Sequence, residues 1–214
     1  MGFSKITPQV KFWQEEGGRE YTDRNAQSVD EMNRCYIKEY NIPRIAMNEE
    51  FMADLDRSLT ILEIGANKGL QLELLRIMGF KNLLGIEVNE YAIARAKTIH
   101  PNIEIIPGSG FELPFRDGAF DLVFTSGVLI HIAPDDLPRM MKEIFRVSRR
   151  YIWGFEYFAP TPTKVVYRGN NELLWKTDLA QLYCEQFPDL QVVKEKKYHL
   201  TDSENISQMF LLEK

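Results

Sequence analysis

Residues 60–69, with the sequence TILEIGANKG, constrain the fold of this chain more than any other stretch. Thr60 to Ile64 is a short apolar run, Gly65 to Gly69 predicts a tight turn, and the following LQLELLRIM has the apolar spacing of a helix that ends near Gly79. Such a strand, turn and helix bring the backbone close to a ligand and point helix N–H groups at it. The stretch therefore predicts a site for a nucleotide-like cofactor.

Two acidic residues near the ends of apolar runs add to this prediction. Glu63 lies in a strand that should be buried, where a carboxylate is costly unless a cation or several donors meet it. Glu63 therefore indicates a ligand with positive charge. Glu87 ends the run LLGIE, about 20 positions after the glycine turn, where an acid suits the two hydroxyls of a ribose. The alternative is a glycine-capped core helix with a solvated Glu87.

The spacing of the turn distinguishes between cofactor classes. A dinucleotide fingerprint beginning at Gly65 needs glycines where this chain has Asn67 and Leu70. The pattern Glu63-x-Gly65-x-Asn67-x-Gly69 instead resembles the first motif of the class I S-adenosylmethionine-dependent methyltransferases, which usually has glycine at the position of Asn67. Asn tolerates positive φ. The resemblance implies S-adenosylmethionine as cofactor, with S-adenosylhomocysteine as product, held here by Glu63, Gly65, Ala66, Asn67, Gly69, Glu87 and Val88.

Strand-like and helical patterns alternate along the rest of the chain. Residues 103–107, 120–126 and 151–158 predict strands, and residues 90–99 and 135–147 predict helices. A helix at 176–187 and a long hairpin over 190–200 and 206–214 follow. The alternation implies an α/β fold, mainly parallel, with helices on both faces. The resemblance implies a Rossmann-like sheet of seven strands whose last strand is antiparallel.

Two further segments resemble family motifs. GSGFELPF at 108–115 matches a context that meets the adenine, with Ser109 where the family has an acid. The resemblance implies adenine contacts from Ser109, Gly110 and Phe111, with Glu112 as an alternative. TSGVLIHI at 125–132 matches the segment along the methionine part of the cofactor, which implies contacts from Ser126, Gly127 and Val128.

His131 is the histidine that lies inside a motif. The ordinary pKa of histidine suits a general base at neutral pH. Alternatively, His131 orders the following loop and helix by hydrogen bonding. We take it as the candidate catalytic residue.

The segment from Glu156 to Arg168 follows the fifth predicted strand, where a substrate would be met. Its prolines and Tyr-Arg-Gly turn predict a stiff loop that carries donors. Arg168 suits a carboxylate or a phosphate, although an ordinary surface connection is the alternative. We take Glu156, Tyr157 and Arg168 as candidate acceptor contacts.

Residues 1–57 predict an N-terminal helical extension in front of a methyltransferase domain at 58–214. The extension has aromatic residues around Gly17 and Gly18, which suit either packing on the main sheet or a lid that excludes water. Tyr21 and Arg24 are its candidate acceptor contacts.

Over nearly the whole chain, FW, YTDRN, LEIGANKG, FTSGVLIHI, EYFAPTPTKVVYRG and FLLEK resemble the methylases associated with pseudaminic acid biosynthesis. The resemblance implies O- or N-methylation of a small polar acceptor, such as a nonulosonic or nucleotide-linked sugar. The alternatives are another acceptor (a natural product, a protein or an RNA), or a regulatory protein that binds S-adenosylmethionine without catalysis.

Composition limits the partners. Lys and Arg number 26 against 31 Asp and Glu, a net charge of −5, so we expect no broad nucleic-acid surface. Cys35 and Cys184 have no metal-like spacing, and we expect no metal. Residues 1–12 lack the apolar core of a signal peptide, and no apolar run is long enough to span a bilayer. We therefore expect a cytoplasmic protein without a membrane partner; the sequence does not predict its oligomeric state.

Overall fold

A computed structural model describes residues 6–214. Residues 1–5, where the segment considered for a signal peptide begins, lie outside the described residues. The chain divides into two compact units, Met1–Ser109 and Gly110–Lys214. Each unit is described by itself.

The N-terminal part of the first unit is helical, as predicted. Its side chains define several helix ends: the Thr7 hydroxyl accepts a hydrogen bond from the Val10 amide, and the Ser28 hydroxyl accepts one from the Glu31 amide. Asn41 ends the third helix in the left-handed conformation. The helices are α1 (Pro8–Gln14), α2 (Glu16–Arg24), α3 (Val29–Tyr40) and α4 (Arg44–Met52).

The remainder of the first unit alternates strands and helices. The strands pair in parallel in the order β3-β2-β1, and the helices between them begin at Leu70 and Glu90. Asn89 caps the helix that begins at Glu90, because its side chain accepts from the Ala92 amide at 3.1 Å. The elements are β1 (Thr60–Ile64), α5 (Leu70–Ile77), β2 (Asn82–Glu87), α6 (Glu90–Ile99) and β3 (Glu104–Pro107).

The second unit contains four long strands in the order β4-β5-β9-β8. β4 and β5 are parallel, whereas β9 is antiparallel to both β5 and β8. A single turn of 3₁₀ helix at Leu129–His131 follows β4. The elements are β4 (Phe120–Ser126), α7 (Leu137–Val147), β5 (Ser148–Phe158), β6 (Thr163–Lys164), β7 (Trp175–Lys176), α8 (Leu179–Gln186), β8 (Gln191–His199) and β9 (Ile206–Glu213).

The segment predicted as a stiff loop with a Tyr-Arg-Gly turn forms a short hairpin that has this turn at its tip. β6 and β7 pair in antiparallel fashion, and at its tip Tyr167 and Asn170 exchange backbone hydrogen bonds of 2.8 and 3.0 Å. Arg168 and Gly169 between them both have positive φ, 51° and 80°, as a two-residue hairpin turn requires. Two-residue strands are too short for the alternating pattern that reveals strands in a sequence.

The predicted fold class is confirmed. Three strands of the first unit and four of the second supply the seven strands of a Rossmann-like methyltransferase fold, mainly parallel, with β9 antiparallel. Gly85 fits this fold because a Cβ atom there would lie 2.7 Å from the Cβ atom of Ala66. Within residues 6–214, no helix has the length and apolarity needed to cross a membrane.

Candidate functional site

The turn after β1 has the backbone shape that the sequence predicts. Gly65, Asn67 and Gly69 have positive φ angles of 72°, 46° and 78°. The amides of Gly65 and Ala66 donate to the carbonyl of Ile86 at 2.8 and 3.1 Å. The turn is therefore bound to the carboxyl end of β2, and Asn67 adopts the conformation for which the family usually has glycine.

Glu87 is held in a fixed orientation at this end of β2. One carboxylate oxygen accepts from the Asn67 amide at 2.8 Å, and the other accepts from the amides of Val88 and Asn89 at 2.8 and 2.9 Å. Burial raises the pKa of Glu87, and the three amides oppose that rise. A carboxylate accepts about four hydrogen bonds, so Glu87 can accept one more.

Glu63 is a buried acid with unused hydrogen-bonding capacity. Its side chain is 3% exposed, and its Oε2 atom has no hydrogen-bond partner among the described residues. Burial raises the pKa of this carboxyl well above its ordinary value; the charge of Arg44 opposes the rise, and that of Glu87 adds to it. A buried acceptor left unpaired is costly, so the position suits a cationic donor.

Arg44 is a buried residue near Glu63 that the sequence does not reveal. It is 0% exposed, and it donates to the Asn48 side chain and the Tyr36 hydroxyl, both at 2.7 Å. An arginine directly after a proline such as Pro43 is also typical of an exposed first turn of a helix. No sequence signal therefore marks Arg44 as buried.

The side chains of the glycine turn hold the end of α2. Lys68, which is 1% exposed, donates through Nζ to the carbonyls of Thr22 and Asn25 at 2.5 and 3.0 Å. The Asn67 side chain donates to the Thr22 hydroxyl at 2.9 Å. Burial lowers the pKa of Lys68 to about 8, and the charge of Arg95 lowers it too. Lys68 is a further residue that sequence reasoning missed.

The end of α1 is held by the loop after β2. The Asn89 side chain donates to the Trp13 carbonyl at 2.8 Å. A Cβ atom at Gly18 would lie 1.9 Å from that carbonyl oxygen and 2.4 Å from the Asn89 amide nitrogen, so this approach requires glycine. The two loops that carry Asn67 and Asn89 therefore both bind the helical extension.

The candidate acceptor contacts of the extension belong to one aromatic cluster. Trp13 packs edge-to-face against Phe12 and Tyr21, with ring centroids 5.2 and 5.4 Å apart. The Arg24 guanidinium lies 5.1 Å from the Tyr21 ring centroid. Ser109, the candidate adenine contact of the first unit, is buried.

In the second unit, Glu156 organises the segment after β4. Gly127 has a φ of 68°, and its amide donates to the Phe155 carbonyl at 2.9 Å. The Glu156 carboxylate, 1% exposed, accepts from the amides of Val128 and Ile130 at 3.1 and 3.4 Å. Glu156 therefore holds the backbone of the segment after β4, and its contact with an acceptor stays a prediction.

His131 is bound to the hairpin. It is 8% exposed, its Nδ1 atom lies 2.5 Å from the Leu173 carbonyl oxygen, and its ring centroid lies 5.2 Å from that of Tyr167. A carbonyl only accepts, so Nδ1 donates, and the neutral ring carries its lone pair on Nε2. This geometry links His131 to the hairpin and also suits a base; the predicted ordering of the following loop and helix stays a prediction.

The other candidate cofactor contacts of the second unit lie on either side of β4 in sequence. Gly110 and Phe111 are buried, and the Arg139 guanidinium lies 5.8 Å from the Phe111 ring centroid. Ser126, at the end of β4, is half-buried.

The remaining candidate acceptor contacts are less enclosed. Tyr157 is half-buried, and Lys176 Nζ lies 5.4 Å from its ring centroid. Arg168 is exposed in the left-handed turn of the hairpin.

Comparison with known proteins shows which protein family part of this chain resembles. Residues 62–151 match the family model described as a methyltransferase domain. A demethylmenaquinone methyltransferase of Lactococcus lactis is 28% identical over 136 residues, which cover 60% of this chain and 53% of the relative. A probable S-adenosylmethionine-dependent methyltransferase of Mycolicibacterium smegmatis is 26% identical over 107 residues, covering 50% and 39%. Residues 62–151, about two fifths of the chain, are therefore similar to the methyltransferase domain of S-adenosylmethionine-dependent enzymes.

Solved structures share the fold of this chain. The 1,6-didemethyltoxoflavin-N1-methyltransferase of Burkholderia thailandensis, solved with its acceptor and S-adenosylhomocysteine, has a TM-score of 0.67 at 13% identity, covering 100% of this chain and 93% of that one. At this identity the likeness establishes the fold. The chain spans about half the length, or less, of the two curated relatives.

The environment of Glu156 predicts a pH-dependent stability. Burial raises its pKa from 4.5 to about 7, although the amides of 128–130 and the Thr125 hydroxyl oppose the rise. Between these pH values the folded protein holds a proton that the unfolded chain has released, so the free energy of unfolding falls as pH rises. We expect Glu156 to contribute a fall of about 3 kcal/mol, which Glu156→Gln removes.

Urea unfolding of both proteins from pH 4.5 to about 7 measures this difference. Glu204→Gln, at an exposed acid of the same unit, is the matched control and should keep the wild-type slope. Equal slopes for wild type and Glu156→Gln would contradict the assigned environment.

Proposed function

We propose that this protein is a methyltransferase that uses S-adenosylmethionine to methylate a small acceptor. One observation in the first unit carries the proposal: a buried carboxylate oxygen of Glu63 without a partner lies in the family's first motif, followed by an oriented Glu87. A cofactor with an ammonium group and two ribose hydroxyls matches these two acids in charge and in hydrogen bonding.

The residues of the first unit fit the cofactor. We infer that Glu63 accepts from its ammonium group and that Glu87 accepts from a ribose hydroxyl next to Val88. The backbone of the Gly65–Gly69 turn, including Ala66 and Asn67, allows the close approach. Ser109, Gly110 and Phe111 remain the proposed adenine contacts, and Ser126, Gly127 and Val128 the proposed methionine contacts.

When bound, S-adenosylmethionine supplies a methyl group on a positively charged sulfur. What the chain adds is alignment, exclusion of water and a place for the acceptor's proton. We infer that His131 takes that proton at Nε2, since Nδ1 donates to the Leu173 carbonyl. Glu156 holds the backbone of Val128 and Ile130, and so positions the segment that carries His131.

We propose that residues 1–57 act as a lid and that residues 58–214 form the methyltransferase domain. Two contacts in the first unit support the lid: Lys68 binds the end of α2, and Asn89 binds the Trp13 carbonyl. Tyr21 and Arg24, on the same helix, remain proposed acceptor contacts, as do Tyr157 and Arg168 in the second unit.

The acceptor that we propose is a small molecule. The names of similar proteins support this, because they specify demethylmenaquinone and a toxoflavin precursor. The more specific proposal, O- or N-methylation of a nonulosonic or nucleotide-linked sugar in a cytoplasmic pseudaminic acid pathway, depends on the sequence resemblance alone. The net charge of −5 argues against a nucleic-acid acceptor.

The cofactor proposal predicts the effect of removing Glu87. Glu87→Ala should weaken S-adenosylmethionine binding by about 1 to 3 kcal/mol, because it removes hydrogen bonds to a charged acceptor. Glu87→Gln, which keeps one carbonyl oxygen, should lose less. Equilibrium dialysis with labelled cofactor measures both affinities.

Glu90→Ala is the control for this series, since Glu90 is an exposed acid in the first turn of α6. It should bind like wild type, and thermal unfolding checks that all variants are folded. A folded Glu87→Ala protein with wild-type affinity would exclude Glu87 from the site.

The base proposal predicts a difference in rate. His131→Asn keeps a donor for the Leu173 carbonyl but has no basic nitrogen, so single-turnover methyl transfer should slow about a hundredfold while cofactor affinity stays similar. The acceptor used in this assay is the first compound of a screen that causes release of S-adenosylhomocysteine. If His131→Asn has the wild-type rate and only His131→Ala is slower, His131 has the ordering role and is not the base. No turnover in a full screen, despite cofactor binding, would favour the regulatory alternative.

A further inference from the structure

A cavity of about 440 Å³ lies in the second unit. Part of its wall is formed by Leu129, Ile130 and Ile132, which follow the proposed methionine contacts in sequence and flank His131. The hairpin contributes Pro162, Trp175 and Lys176, and helices α7 and α8 complete the lining. The volume lies in the usual range for small-molecule pockets. The cavity therefore lies between the two segments of this unit assigned to the cofactor's methionine end and to the acceptor.

The wall of this cavity is mainly apolar. It includes Leu129, Ile130, Ile132, Met141, Leu179 and Leu182. A fully hydrophilic ligand would leave this surface without favourable contacts, so the wall selects an apolar portion of a ligand.

Lys176 is the cation of the cavity lining. Its Nζ atom donates to the Asn205 side chain and lies over the Tyr157 ring, and it forms no ion pair with any acid in residues 6–214. Burial lowers its pKa, and no carboxylate among the described residues neutralises the charge of the ammonium. The acid of the lining, Glu185, is exposed and accepts from Gln181 at 2.6 Å.

We propose that this cavity binds the methyl acceptor, and that the acceptor is an acid with an apolar body whose acidic group pairs with Lys176. The inference rests on the proposed function and narrows its substrate class. A carboxylated sugar fits if it carries apolar substituents that reach the wall, whereas a fully hydroxylated sugar does not fit.

The test uses two fluorescent probes that share an apolar body. Anilinonaphthalene sulfonate carries an acid, and N-phenylnaphthylamine is its neutral counterpart. Wild type should bind both. Lys176→Met should weaken the sulfonate probe about tenfold and leave the neutral probe unchanged, since it removes one charge-assisted contact and keeps the side-chain length.

Two further variants locate the binding. Leu182→Trp adds bulk at a half-buried wall position and should weaken both probes at least tenfold, because it fills the cavity. Lys142→Met changes an exposed lysine of α7 outside the lining and should bind both probes like wild type. Circular dichroism and thermal unfolding confirm that each variant is folded.

Three results would overturn the proposal: no binding of either probe by wild type, wild-type sulfonate affinity in Lys176→Met, or undiminished binding in folded Leu182→Trp. Titration of the same samples with S-adenosylhomocysteine shows whether such a result contradicts the acceptor pocket alone or the proposed function as well. Cofactor binding without probe binding removes the acceptor pocket alone. Probe binding without cofactor binding removes both, because the cavity's ligand is then not a methyl acceptor.

Discussion

Two carboxylates buried at neighbouring strands of one parallel sheet determine how the first unit can function. Glu63 and Glu87 each lose hydration, and burial raises the pKa of both. Three backbone amides compensate Glu87, whereas one oxygen of Glu63 has no partner among the described residues. The unpaired oxygen of Glu63, at the turn proposed to bind the cofactor, lowers the stability of the fold. A cationic ligand would restore that stability on binding.

The same turn contacts both Glu87 and the helical extension. The Asn67 amide binds Glu87, while its side chain and that of Lys68 bind the end of α2. A ligand that fixes the turn therefore also favours one position of the helix that carries Tyr21 and Arg24. In the second unit, Glu156 has a comparable role, because it fixes the backbone on which the proposed base depends.

Much of this could be predicted from the sequence, because strand, turn and helix signals are local. The strand and turn around the glycine motif and the acid at the end of β2 follow from short-range patterns, whereas the antiparallel last strand follows from the family resemblance, and the fold confirms it. The burial of Arg44 and Lys68 could not be predicted, because it depends on partners about 8 to 46 positions away. The position of Glu156 depends on side-chain direction within β5, and the hairpin after it depends on strands of two residues.

The most direct test of the central claim is titration calorimetry of the protein with S-adenosylmethionine, S-adenosylhomocysteine and NADH. We expect micromolar binding of S-adenosylmethionine and S-adenosylhomocysteine and no binding of NADH. We also expect Glu63→Ala to lose the binding of S-adenosylmethionine. Binding of NADH in place of S-adenosylmethionine would contradict the prediction that the Gly65–Gly69 turn binds S-adenosylmethionine. It would also contradict the proposal that the carboxylates of Glu63 and Glu87 contact this cofactor.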